Sequence, residues 1–163
     1  MPEQGLRFRI PGAEWQIEFP GDSLRALLQH VHHGYKTAEA AGQLYTTDIN
    51  GSTVRVERVT NPVSRWARYA GVRLDLKAIR KERERLFQEG LHCLGFWHSH
   101  PEAQPRPSHA DLAMAAEQAS AGSDDFTGLL FVIIGNSPFP QGLGVWVHDG
   151  SKLWRAEHVE ELG

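Results

Sequence analysis

Residues 95–111 read GFWHSHPEAQPRPSHAD, and the reading of this stretch organises the rest of the chain. The apolar lead LHCLGFW, residues 91–97, predicts a strand that runs directly into His98-Ser99-His100. Side chains at i and i+2 leave a strand on one face, so His98 and His100 can address one ion while Ser99 points the other way. Pro101, Pro105 and Pro107 mark a loop, and Ser108 starts a helix that runs to about Ala119. Asp111 then falls in the first helical turn, close to where the loop from His100 must return. Two imidazoles and one carboxylate suit zinc and leave a fourth tetrahedral position open, the pattern of catalytic rather than structural zinc. The same residues also have an ordinary reading. Ser108-His109-Ala110-Asp111 matches the Ser-x-x-acid capping box, and a lone His-x-His pair is usually surface or core polarity. From the residues by themselves both readings stay open.

Working outward, LRFRI (6–10) and WQIEF (15–19) alternate apolar and polar residues around a Pro-Gly turn, which predicts a hairpin. Asp22 or Ser23 is expected to cap a helix whose Leu24, Leu27, Leu28 and Val31 share a face, with Gly34 able to end it. EAAGQLYTTDI (39–49) and TVRVERV (53–59) read as a second strand pair turned at Asn50-Gly51. NPVSRWARYAG (61–71) is irregular. Asp75 is expected to open a helix that buries Leu76, Ile79, Leu86 and Phe87, turns RKERER (80–85) to water and stops at Gly90. Three further strands, GLLFVIIG (128–135), GLGVWVHD (142–149) and KLWRAEHV (152–159), close the chain. Interleaved strands and helices predict an α/β or mixed α+β class, with one mixed sheet and three helices in a single domain spanning residues 1–163.

Composition narrows the function classes. The 163 residues are 40% hydrophobic and 23% charged, ordinary for a globular protein. A net charge of −3 supplies no field to recruit nucleic acid or an anionic membrane, so neither is expected as a partner. The single cysteine, Cys93, forms no internal disulfide and no thiolate metal cluster, which fits a reducing cytoplasm. The N-terminal residues lack the apolar core of a signal peptide, and a cytoplasmic location is expected.

His98-Ser99-His100-Pro101, Pro107 and Ser108-x-x-Asp111, with seven residues between His100 and Ser108, resemble the signature of the JAMM (MPN+, JAB1/MPN/Mov34) metalloproteases. Upstream, EAAGQLYT is similar to that family's Glu-x-x-Gly-x-Leu-x-Gly pattern, with Glu39, Gly42 and Leu44 in place and Thr46 where a glycine is common. The resemblance covers about Ser23 to Ile134. It implies a JAB1/MPN-like domain with a mixed, mostly antiparallel, curved sheet flanked by about three helices. It also implies a Zn2+ held by His98, His100 and Asp111, Glu39 as the general base that takes a proton from water and passes it to the leaving amine, and Ser108 as the donor to the oxyanion. Glu14, Glu57 and Glu102 lack the context that singles out Glu39.

The activity implied is a zinc-dependent isopeptidase or peptidase cleaving next to the C-terminus of a ubiquitin-like protein or its conjugate. The short chain resembles compact bacterial members, the deconjugases of ubiquitination-like operons such as the CBASS anti-phage systems, whose partners include E1- and E2-like proteins. A peptidase that trims a sulfur-carrier protein, a zinc hydrolase of small amides and a noncatalytic MPN scaffold are the alternatives. Other residues read more plainly. His32 and His33 complement a helix C-terminus, His109 is expected to be exposed, and Cys93 is expected to be a packed thiol. Arg65, Trp66 and Arg68 are either loop packing or substrate contacts.

Overall fold

The computed structural model describes residues 4–31, 40–61, 67–68, 71–72, 76–120 and 128–160. Its larger sheet has six strands in the order β11 (Leu153–Arg155), β10 (Leu143–His148), β9 (Leu129–Ile134), β8 (His92–Ser99), β3 (Ala41–Thr46) and β5 (Arg58–Val59). Every neighbouring pair in it is antiparallel except β8 and β9. A parallel pair needs a crossover connection, and α3 (His109–Ser120) lies within it. A smaller sheet has the order β12 (Glu157–His158), β1 (Leu6–Arg9), β2 (Gln16–Phe19) and β4 (Thr53–Arg55). Strands β6 (Ala67–Arg68) and β7 (Gly71–Val72) form a separate ribbon. The mixed α+β class with mostly antiparallel pairing, and three helices among the described residues, is as expected; the single sheet is not.

Two sheets arise because the chain changes sheet inside segments that read as single strands. In TVRVERV, Thr53–Arg55 pair parallel with β2, whereas Arg58–Val59 pair antiparallel with β3. Val56, fully buried at the crossing point, donates its N–H to the Glu18 carbonyl, and Glu57 N–H goes to Tyr45. The expected strand pair therefore forms only between β3 and Arg58–Val59, with Thr53–Arg55 diverted to the other sheet, so Asn50-Gly51 is not its tight turn. KLWRAEHV divides in the same way at the buried Ala156, whose N–H binds the Val145 carbonyl.

The larger sheet is covered on both faces, and β9 shows how. Leu130, Val132 and Ile134 enter a core shared with Phe8, Ile17 and Phe19 of the smaller sheet and with Leu24 and Leu27 of α1 (Gly21–Leu28). Phe131 and Ile133 face the other way, against Ile79 of α2 (Leu76–Gln88) and Ala115 of α3.

Both N-terminal helices correct the sequence reading in detail. Pro20, not Asp22 or Ser23, stands at the N-cap of α1, in extended geometry and with no side-chain cap. Ser23 is instead buried and donates its hydroxyl to the Val56 carbonyl. The helix stops at Leu28, and Gly34 lies outside the described residues, as do His32, His33 and Asp75. On α2, Ile79 and Leu86 are buried as expected, but Phe87 is 54% exposed. RKERER does not all face water either: Glu82 is buried and accepts hydrogen bonds from Tyr45 Oη (2.8 Å), Gln43 Nε2 (3.0 Å) and the Thr60 hydroxyl. A charged residue on the inner face of a helix survives when polar groups of the sheet meet it, a condition outside its own segment.

Strand β8 carries an irregularity that decides where the histidines point. Leu44 pairs with Gly95 but Tyr45 pairs with Cys93, so Leu94 is an extra residue on β8. A bulge shifts the alternation by one. Leu94 and Trp97 consequently share one core, while Phe96 turns to the face covered by α2 and α3. His98 follows Phe96 onto that face and packs edge-on against Phe131 at 5.4 Å. Gly95 makes the close approach possible, since a Cβ there would lie 1.8 Å from the Leu130 carbonyl oxygen.

Candidate metal centre

Strand β8 and the first turn of α3 bring His98, His100 and Asp111 together, with one ligand-capable atom from each lying within 4.8 Å of the others. His98 is the penultimate residue of the strand. His100 lies just past its end but keeps the ladder, giving its N–H to the Ile134 carbonyl at 2.8 Å. The i, i+2 expectation holds: the two rings are neighbours at 4.5 Å between centroids. Ser99 points oppositely, with its hydroxyl oxygen accepting the Ala40 N–H at 2.9 Å while its own N–H binds the Ala40 carbonyl.

Asp111 reaches the histidines because it is also the acid of a capping box. Its N–H donates to Ser108 Oγ at 3.1 Å, and its Oδ2 accepts the Ser108 N–H at 2.7 Å. The cap and the cluster are thus one arrangement, not two competing readings. Oδ1 lies 3.1 Å from His98 Nε2, and Oδ2 lies 3.4 Å from His100 Nε2. Burial pushes the Asp111 carboxyl upward, but the contacts from His100, His98 and the Ser108 N–H outweigh it and hold the group well below the ordinary carboxylate range. A buried anion is retained here beside the positive end of a helix.

The donor set fits a divalent cation of zinc's type. The His98 side chain is 2% exposed, yet neither of its ring nitrogens makes a hydrogen bond among the described residues. The Asp111 oxygen is near enough to Nε2 but lacks hydrogen-bond geometry. Leaving a buried polar group unsatisfied costs about 1–3 kcal/mol, a cost that coordination at Nε2 removes. Borderline nitrogen and oxygen donors in this number match zinc better than calcium or magnesium, which take oxygen cages.

Glu39 lies outside the described residues, as do Arg65 and Trp66. Its chain neighbour Ala40 is the residue clamped to Ser99, and Ala41 pairs with His98. The residues after Glu39 explain their own pattern. A Cβ at Gly42 would lie 1.6 Å from the Thr60 carbonyl oxygen, which accepts the Trp97 Nε1–H at 2.8 Å. Leu44 is fully buried in the main core. Thr46 sits in regular strand pairing with His92 and donates its hydroxyl to Glu57, so the departure from glycine leaves the backbone ordinary.

The remaining residues separate cleanly. His109 and Glu14 are exposed. Cys93 packs with its sulfur 3.5 Å from Gln43 Oε1, and burial pushes its thiol up, away from a reactive thiolate. Glu57 is engaged by Thr46 and both the N–H and hydroxyl of Thr47. Glu102 is the residue that sequence reasoning passed over, with its Oε1 2.9 Å from His100 Nδ1. A cavity of about 530 Å³ between Trp15, Ile49, Val54 and Trp154 lies elsewhere, at the end of β10 that pairs with the start of β9.

Residues 20–149 match the family described as prokaryotic homologs of the JAB domain. A CD-NTase/cGAS isopeptidase of Pseudomonas aeruginosa is 31% identical over 126 residues, covering 74% of this chain and 78% of that protein. Two solution structures share the fold. A protein from Desulfitobacterium hafniense has a TM-score of 0.58 at 20% identity, over 87% of this chain and 88% of its own. One from Salinibacter ruber has a TM-score of 0.55 at 24% identity, over 88% and 91%. A family match across most of the sequence, on a fold that gathers two strand histidines and a helix-capping aspartate, makes this chain a member of the prokaryotic JAB-domain family.

Proposed function

We propose that this protein is a zinc-dependent isopeptidase that cleaves next to the C-terminus of a ubiquitin-like protein or its conjugate. The setting we propose is a bacterial ubiquitination-like pathway of the CBASS type, with E1- and E2-like partners. The observation that carries the reading is the buried His98, whose Nε2 has no hydrogen bond among the described residues and lies 3.1 Å from the Asp111 carboxylate, beside a second imidazole. The similar isopeptidase of Pseudomonas aeruginosa supports the substrate class.

In this reading His98, His100 and Asp111 hold the ion. When bound, zinc supplies Lewis acidity, making a water acidic near neutral pH and polarising a carbonyl. Glu39 takes the proton of the attacking water and returns it to the leaving amine. The Ser99–Ala40 clamp supports that role, since it ties the residue after Glu39 to the strand between the two histidines. Ser108 uses its hydroxyl oxygen to cap α3, and its O–H proton is left to donate to the oxyanion of the tetrahedral intermediate.

The test pairs Glu39→Gln with the double variant His98→Ala/His100→Ala. Glutamine keeps the shape of glutamate but takes no proton, so Glu39→Gln is expected to retain about one zinc per chain. It should lose single-turnover cleavage of a fusion after its tail glycine, and hold the uncleaved fusion in a pull-down. The double variant is expected to lose zinc by elemental analysis. Cleavage by Glu39→Gln within a few-fold of wild type removes Glu39 as the base, and full zinc content in the double variant removes the metal site. Activity on small amides but on no ubiquitin-like tail sinks the isopeptidase reading.

A further inference from the structure

We infer that Glu102 is the positioning residue for His100, and that the turn after β9 holds Glu102 in place to do so. This rests on the reading that His98, His100 and Asp111 bind a divalent cation. Glu102 Oε1 lies 2.9 Å from His100 Nδ1. An ionised carboxylate only accepts hydrogen bonds, so Nδ1 is the donor of this contact, which leaves Nε2 as the ring nitrogen that a cation would take. That nitrogen faces Asp111 Oδ2 at 3.4 Å. A divalent cation at the cluster would take electron pairs from both of these atoms. Glu102 thereby selects the tautomer and ring orientation that a cation needs, as carboxylates behind metal-binding imidazoles do.

The two histidines are oriented by different means. His98 is enclosed in the sheet against Phe131, and its Nδ1 has no hydrogen bond among the described residues. His100 lies where β8 leaves the sheet; it too is buried, but a carboxylate from its own loop meets its Nδ1. That loop is fastened. The Glu102 carbonyl accepts the Asn136 N–H at 2.6 Å, and the Ala103 carbonyl accepts the Ser137 N–H at 3.1 Å. Gly135 provides the clearance, because a Cβ there would lie 2.6 Å from the Glu102 carbonyl oxygen and 2.7 Å from Pro105 Cδ. Residues 135–137 are thus a latch acting on the metal site through Glu102.

The experiment compares Glu102→Ala, Glu102→Gln and Gly135→Ala in the full chain. Zinc affinity is read by competition with a chromophoric chelator, the visible spectrum of the Co2+-loaded protein reports coordination geometry, and melting of the metal-free protein reports stability. The Glu102 side chain is 47% exposed, so Glu102→Ala is expected to melt like wild type. Its zinc affinity should fall about tenfold, the lower end of the range for such partners, with an altered Co2+ spectrum. Glu102→Gln, whose amide oxygen still accepts from Nδ1, should stay within about threefold. Gly135→Ala should weaken zinc comparably to Glu102→Ala. Wild-type affinity and spectrum in Glu102→Ala overturn the inference, and wild-type affinity in Gly135→Ala overturns the latch. Cleavage lost in Glu102→Ala with unchanged metal binding overturns it too, since Glu102 would then act on the reaction itself. Zinc retained by His98→Ala/His100→Ala instead defeats the site reading beneath it, so the two failures are distinct.

Discussion

Ser108 does two jobs with one hydroxyl, and a substitution separates them. Its oxygen accepts the Asp111 N–H at 3.1 Å, so Ser108→Ala removes a cap worth roughly 0.5–2 kcal/mol. Loss of an oxyanion donor costs roughly 2.7–4 kcal/mol in barrier, about a hundred- to a thousand-fold in kcat. Thermal melting reads the first and kcat the second; a lowered melting temperature with unchanged kcat leaves Ser108 as a cap alone. The same residue shows how far the site is legible in the sequence. Ser-x-x-Asp implies the cap by local geometry, and His-x-His implies a shared face by strand periodicity. Glu102 was not legible as the partner of His100. Its role depends on the path of a proline-rich loop, and that path is set by Asn136 and Ser137, more than thirty residues downstream.

Among the elements, β8 controls the site through its bulge. Removing the extra residue, or straining it away, returns His98 to the opposite face of the sheet. Gly95→Ala tests this directly, because the added methyl would meet the Leu130 carbonyl at 1.8 Å, a backbone atom with no rotamer to escape into. The expected loss is about 3 kcal/mol, the upper end for overpacking, measured as a shift in denaturant midpoint, together with weakened zinc binding. A variant as stable as wild type and with normal zinc affinity shows that the bulge tolerates a side chain. Helix α2 makes the complementary point. Its charge run reads as a solvated face, yet Glu82 lies inside because Tyr45, Gln43 and Thr60 converge on it from β3 and the segment after β5. Residues far along the chain supply those partners, and helical periodicity carries no record of them.

At the scale of the whole molecule, two exposed carboxylates tie stability to acid pH. Asp149 is drawn from an ordinary 3.8 down to about 2, chiefly by the Trp154 indole N–H, with the N–H groups of Lys152 and Ser151 assisting. Glu57 is also lowered: desolvation raises it, but the N–H and hydroxyl of Thr47 and the Thr46 hydroxyl prevail. A depressed folded-state value means stability that is present above the unfolded value and lost as pH falls through the folded one. Melting temperature is therefore expected to drop between about pH 4 and pH 2. Asp149→Asn and Glu57→Gln should melt lower than wild type at neutral pH and approach it at pH 2. Parallel curves for variants and wild type would assign acid unfolding to other groups. The sequence by itself determined what local periodicity and local bonding control: the hairpin of β1 and β2, the core face of α1, the strand–loop–helix carrying His98, His100 and Asp111, and the cap at Ser108. Only the tertiary structure decided which sheet each half of TVRVERV and KLWRAEHV joins, that Glu82 is buried, and that a bulge turns His98 toward α3. Strand pairing and burial are settled by partners distant in the chain, because a backbone hydrogen bond or a buried charge is satisfied by whatever the fold brings beside it.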